Sequence, residues 1–124
     1  MTAPIRVLIV DDSEVFRGGL ELVLGLRPQI EIVGAAEDGT EAARLARELS
    51  PDVVLMDYRL PGMDGLESTA AVRAASPATK VVGLTGTANL GERQAFYDAG
   101  AIACLSKDDD LDEIVAAIEK AAWS

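Results

Sequence analysis

Three short runs constrain this chain more than anything else in it: Val7-Leu8-Ile9-Val10, Val53-Val54-Leu55-Met56, and Val81-Val82-Gly83-Leu84. A half-exposed strand alternates apolar with polar, and a run this short cannot be a helix spanning a core. Near-continuous apolar tetrads are what strands need when both faces of a parallel sheet are covered by helices. Between the runs lie longer amphipathic stretches, so the order is βα repeated five times. The strands are expected at Ile5 to Asp11, Ile30 to Ala35, Asp52 to Asp57, Lys80 to Thr85 and Ala101 to Leu105. With right-handed crossovers this is a doubly wound α/β sheet, flavodoxin-like in order 2-1-3-4-5, with helices on both faces.

Helix boundaries support the same frame. Asp38-Gly39-Thr40-Glu41 reads as a capped start, with Asp38 at the cap and Glu41 able to reach back, and Pro51 closes that helix after Ser50. Gly100 ends the fourth helix in a position suited to left-handed backbone. The last helix begins within Asp108 to Asp112 and runs to about Ala122, its inner face spelled by Leu111, Ile114, Val115 and Ile118. At 124 residues there is room for one domain, expected over residues 1–124 without a DNA-binding domain in this chain.

Composition removes whole classes of chemistry. The chain has no histidine, which excludes Ser-His-Asp triads, Cys-His pairs and His-containing zinc sites. Its one cysteine, Cys104, excludes an internal disulfide and any CxxC motif. A formal charge of −10 argues against nucleic-acid or anionic-membrane contact by this domain. The first apolar run stops at Asp11-Asp12, too short for a signal peptide or a membrane span, and a cytoplasmic location is expected.

In open α/β sheets ligands bind beyond the carboxyl ends of the strands. There stand Asp11 and Asp12 after the first strand, Asp57 ending the third, Thr85 ending the fourth and Lys107 following the fifth. Each has an ordinary structural explanation alone. Asp12 or Ser13 could cap the first helix, Asp57 could sit in a turn before Pro61-Gly62, and Lys107, one of three lysines, could be a solvated surface residue. Together they describe a site. Carboxylates that crowd one crevice repel unless a cation shares it, and hard oxygen ligands in a partly hydrated site suit Mg²⁺. A carboxylate nucleophile, a metal and a lysine to neutralise phosphoryl oxygens, and a hydroxyl donor make a phosphoryl-transfer site.

The residues Val7 to Asp12, Met56-Asp57, Pro61-Gly62-Met63-Asp64-Gly65, Thr85 and Lys107 resemble the receiver domain of two-component response regulators. Pro61 to Glu67, and Asp108 directly after Lys107, resemble the NarL/FixJ-like subfamily in particular. The resemblance implies a signalling switch rather than an enzyme, limited to self-phosphorylation from a donor and autodephosphorylation. It implies Asp57 as phosphoacceptor, with Mg²⁺ held by Asp12 directly, by Asp11 mainly through water, by Asp57, and by the backbone carbonyl of Arg59. Lys107 and Thr85 would contact the phosphoryl group. Its implied partners are a sensor histidine kinase supplying a phosphohistidine, a second copy in a homodimer and, in a longer form, a C-terminal helix-turn-helix domain.

Three residues before the lysine, where many such receivers carry a Tyr or Phe that swings inward, this chain has Cys104. A thiol cannot sweep an aromatic volume, so output is expected to depend on the loop after Thr85 and on helix four more than on a rotamer. Because Thr85 and Lys107 lead into them, helix four, the fifth strand and helix five are expected to form the switch surface. Cys104 reads more simply as a buried strand residue than as a redox group. The Arg59 side chain is expected over the mouth of the site, where it could obstruct hydrolytic water while engaged by the phosphoryl group or by acids such as Asp11, stabilise transition-state charge and hasten hydrolysis, or stand as an exposed arginine without a kinetic role; obstruction is the reading favoured.

Two rivals remain from the residues alone. A haloacid-dehalogenase-like phosphatase would need a second acid two positions after the nucleophile, and Arg59 stands there. A receiver-like interaction module that signals without phosphorylation would fit the loss of the aromatic at Cys104, but not the presence of all five polar residues at one edge.

Overall fold

The computed structural model describes residues 3–86 and 90–124. Five strands alternate with five helices: β1 (Ile5–Val10), α1 (Glu14–Gly25), β2 (Ile30–Ala36), α2 (Gly39–Leu49), β3 (Val53–Asp57), α3 (Gly65–Ala75), β4 (Lys80–Thr85), α4 (Leu90–Ala99), β5 (Ala103–Ser106) and α5 (Leu111–Ala122). The strands form one parallel sheet in the order β2-β1-β3-β4-β5, the flavodoxin-like order the sequence implies.

Alternation along the strands divides the core into two layers. Ile5, Val7 and Ile9 of β1, Val53 and Leu55 of β3, and Val82 and Leu84 of β4 pack with Leu20 and Leu24 of α1 and with Ile114, Val115 and Ile118 of α5. Leu8, Val10, Val54, Met56 and Val81 point the other way, against α2, α3 and α4 through Ala42, Ala46, Val72 and Phe96. Both faces of the central strands are therefore dry, which is why their sequence does not alternate.

Gly83, which interrupts the β4 run, is explained by the second layer. A Cβ built on it would lie 2.6 Å from the Phe96 ring, so the missing side chain is the seat for that ring. Phe96 is fully buried there and meets Tyr58 edge-on at 5.7 Å between centroids.

The helix caps follow the expected chemistry, with local differences. Ser13 rather than Asp12 caps α1, accepting from Phe16 N at 3.3 Å. Asp38 Oδ1 accepts from Glu41 N at 2.8 Å; among the described residues the Glu41 carboxylate makes no reciprocal bond, so the cap is one-sided. Ser50 takes left-handed backbone at φ 46° before Pro51. Asp110 caps α5.

Gly100, at φ +110°, closes α4 with Gly100 N donating to Tyr97 O at 3.0 Å and Ala101 N to Phe96 O at 2.9 Å. That closure corrects the fifth strand. Ala101 is committed to capping α4, so β5 begins at Ala103 rather than Ala101 and extends to Ser106. β1 likewise ends at Val10: Asp11 N still donates to Ala36 O at 3.0 Å, but the chain turns there toward α1.

A Gly83→Ala substitution drives a methyl group into the Phe96 ring and should cost about 1–3 kcal/mol in urea denaturation. Phe96→Leu in that background should recover part of the loss. Strict additivity of the two changes would show that the ring does not occupy the glycine's place.

Candidate functional site

Because β1 lies beside β3, with Val10 opposite Met56, Asp11 and Asp57 emerge from adjacent strands at one edge. Asp12 adds an exposed carboxylate, and ligand oxygens from all three acids lie within 4.8 Å of one another. Lys107 leaves the end of β5 with its backbone tied to β4, Lys107 N donating to Thr85 O at 2.8 Å. Its side chain turns into the cluster. Nζ lies 2.7 Å from Asp11 Oδ2 and 3.3 Å from Asp57 Oδ1.

The two inner acids have different surroundings. Asp11 is fully buried, and its Oδ1 accepts from Ser13 N at 2.8 Å. Its Oδ2 has the Lys107 ammonium as an ion-pair partner but lacks a well-directed hydrogen bond. Asp57, 4% exposed, accepts a hydrogen bond from the Arg59 backbone N–H. Its pKa is pushed up from 3.8 to about 6, chiefly by burial and then by the Asp11 charge, against the opposing pull of Lys107. The Lys107 ammonium shows the converse balance. Burial lowers its pKa, but the close contact with Asp11 and the charges of Asp57 and Asp11 outweigh burial and raise it.

An incompletely satisfied buried oxygen on Asp11, a hard-oxygen donor set and an open side at Asp12 fit a divalent cation with retained waters. The acidic triad Asp11, Asp12 and Asp57 can hold a metal ion.

The other expected residues fall as follows. Thr85 is fully buried at the end of β4, opposite Ser106. The Arg59 side chain is 84% exposed and reaches toward Glu92 of α4, 3.8 Å from its carboxylate, and not toward Asp11, whose partner is Lys107. Cys104 is buried opposite Gly83, in the layer that holds Phe96, and burial raises its thiol pKa. It is a strand residue of the core. The expected output loop after Thr85 falls on residues 87–89, outside the described residues.

Sequence reasoning missed three neighbours. Phe16 sets its ring under Lys107, 4.5 Å from Nζ to the ring centroid. Arg17 Nη1 donates to the Asp11 carbonyl at 2.7 Å. Arg93 Nη1 donates to the Cys104 carbonyl at 2.8 Å, tying α4 to β5. Only the first carried a signal: Phe16 lies in the first turn of the helix that leaves Asp11-Asp12.

A doubly wound sheet with paired acids, a hydroxyl and a lysine at its carboxyl edge defines a class of phosphoacceptor signalling domains rather than enzymes. Residues 7–119 match the response regulator receiver domain. The chain is 42% identical over 118 residues to the transcriptional regulatory protein LiaR of Bacillus subtilis, covering 95% of this chain and 56% of that protein. It is 39% identical over 116 residues to the response regulator GacA of Pseudomonas aeruginosa, covering 94% of this chain and 54% of that one. The signal receiver domain of NarL from Mycobacterium tuberculosis superposes with a TM-score of 0.93 at 36% identity, over 99% of both chains. This chain belongs to the response regulator receiver family, in its NarL/FixJ branch. It spans about half the length of the curated relatives it matches. No helix among the described residues is long and apolar enough to cross a membrane.

The raised pKa of Asp57 has a signed consequence for the metal-free protein. A carboxyl that holds its proton more tightly when folded destabilises the fold once ionised, so the penalty is complete above about pH 6 and is relieved as pH falls toward 3.8. With EDTA present, Asp57→Asn should therefore be more stable than wild type at pH 8, by on the order of 1–3 kcal/mol, and the gap should shrink toward pH 4. A gap that widens on acidification would mean that burial and Asp11 do not govern this carboxyl.

Proposed function

We propose that residues 1–124 form one receiver unit that accepts a phosphoryl group on Asp57 from the phosphohistidine of a sensor kinase. The observation that carries this reading is the Lys107 ammonium held between Asp11 and Asp57 at the carboxyl edge. In the transfer, an Asp57 carboxylate oxygen attacks phosphorus in line, the P–O bond forms as the P–N bond to the donor imidazole breaks, and the imidazole leaves with a proton from solvent. Asp12, Asp11, Asp57 and the Arg59 carbonyl are the residues that would hold Mg²⁺. When bound, the ion supplies positive charge that offsets the crowded carboxylates and the phosphoryl oxygens.

Lys107 neutralises a second phosphoryl oxygen by exchanging its longer contact, the 3.3 Å one to Asp57, for the new group. The Thr85 hydroxyl donates to a third. Having no histidine, the chain serves as acceptor and not as donor kinase. Its net charge of −10 supports partners other than nucleic acid for this unit, acting in the cytoplasm, with DNA contact left to a further domain or to an assembled dimer carrying one. Because Cys104 cannot sweep an aromatic volume and Arg93 ties α4 to β5, output is carried by the α4-β5-α5 face. Arg59, exposed beside the acceptor and leaning on Glu92, obstructs the approach of water to the acyl phosphate.

Incubation with acetyl phosphate and Mg²⁺ should add one phosphoryl mass, labile to hydroxylamine, to wild type and not to Asp57→Asn. Mass retained in the Asn variant would place the acceptor elsewhere. After donor removal, Arg59→Ala should lose the group faster than wild type, and an equal or slower loss would remove obstruction from the account.

A further inference from the structure

The Lys107 ammonium has three N–H bonds and a side chain only 21% exposed. Asp11 and Asp57 lie at 2.7 and 3.3 Å. The Phe16 ring lies beside the same ammonium, with its centroid at 4.5 Å, well within the roughly 6 Å over which a ring face attracts a cation. We propose that Phe16 is a positioning residue for Lys107: its ring holds the ammonium at the mouth of the acidic pocket and keeps it aimed at the acceptor while its carboxylate contact changes. The proposal rests on the reading of Lys107 as the phosphoryl ligand.

Phe16 is itself fixed by the acid it serves. Ser13 N donates to Asp11 Oδ1 at 2.8 Å, and Ser13 Oγ accepts from Phe16 N at 3.3 Å, so Asp11, the α1 cap and the ring form one circuit that returns to Asp11 through Lys107. The ring is half-buried against the α1-α5 side of the core.

An aromatic face suits this place for a physical reason. A polar neighbour would accept a hydrogen bond from the ammonium and hold it back from the phosphoryl oxygen. An aliphatic neighbour would exclude water without attracting the charge. The ring attracts the charge without a directed bond, so Nζ can slide from Asp57 Oδ1 toward a new oxygen and remain over the same surface.

The test compares Phe16→Leu, which keeps bulk and loses the ring, with Phe16→Tyr, which keeps the ring and places a hydroxyl on a partly exposed side. The probe is beryllofluoride with Mg²⁺, its affinity read by amide chemical-shift titration, together with the Lys107 Hε shifts. Phe16→Leu should bind beryllofluoride roughly three- to tenfold more weakly, and its Lys107 Hε protons should lose their upfield ring-current displacement. Phe16→Tyr should keep both within about twofold of wild type. Should Phe16→Leu fail to fold in urea controls, Phe16→Met carries the same comparison. Equal affinities for the aliphatic and Tyr variants, or Lys107 shifts that ignore the ring, would overturn the proposal. Failure of wild type itself to bind beryllofluoride would instead overturn the phosphoacceptor reading on which it rests.

Discussion

The structure turns on one electrostatic arrangement, a single ammonium set against two buried carboxylates at the end of adjacent parallel strands. Asp11 and Asp57 meet because β1 lies beside β3, and Lys107 reaches them from β5. Burial makes this arrangement consequential. With little water to screen it, the Asp11 charge helps push Asp57 up to about 6, while the same two acids raise Lys107. The site thus retains negative charge that its own lysine does not cancel, which suits it to bind a cation and then an anion.

From that centre, contacts run outward to helices on both faces. On one face Lys107 rests on Phe16 of α1. On the other, Arg59, two residues after Asp57, leans toward Glu92 of α4, and Arg93 holds the Cys104 carbonyl of β5. Phe96 fills the space over Gly83, in the same layer as Cys104, so the volume beside this strand is already occupied by a buried ring of α4. Movement of α4 against β5 therefore has to break or re-form specific contacts. That makes the pair a better candidate for a two-state element than any single rotamer.

The parts legible in the sequence were those fixed by local chemistry. Near-continuous apolar runs gave a doubly covered parallel sheet, and the same runs marked where each strand delivers its polar residue, so Asp11, Asp57, Thr85 and Lys107 could be placed at one edge before any distance was known. What escaped was set by packing between distant segments. Gly83 shows only as an interruption until Phe96 is seen above it, and Ala101 looks like strand until its amide is found closing α4. Arg59 was expected over the mouth of the site, against a phosphoryl group or acids such as Asp11, but Asp11 pairs with Lys107 and the guanidinium lies beside Glu92 of a helix distant in sequence. Phe16 could be assigned to α1, yet nothing in the pattern specifies which way its ring faces.

The central claim is that Lys107 and a divalent cation answer the same carboxylate charge. Calorimetric titration of Mg²⁺ into wild type and Lys107→Ala at fixed ionic strength tests it directly. Removing the ammonium should tighten Mg²⁺ binding, by roughly three- to tenfold for a charge of this proximity in a partly screened site. Unchanged or weaker binding in the variant would contradict the account, because the lysine and the metal would then not be sharing Asp11 and Asp57.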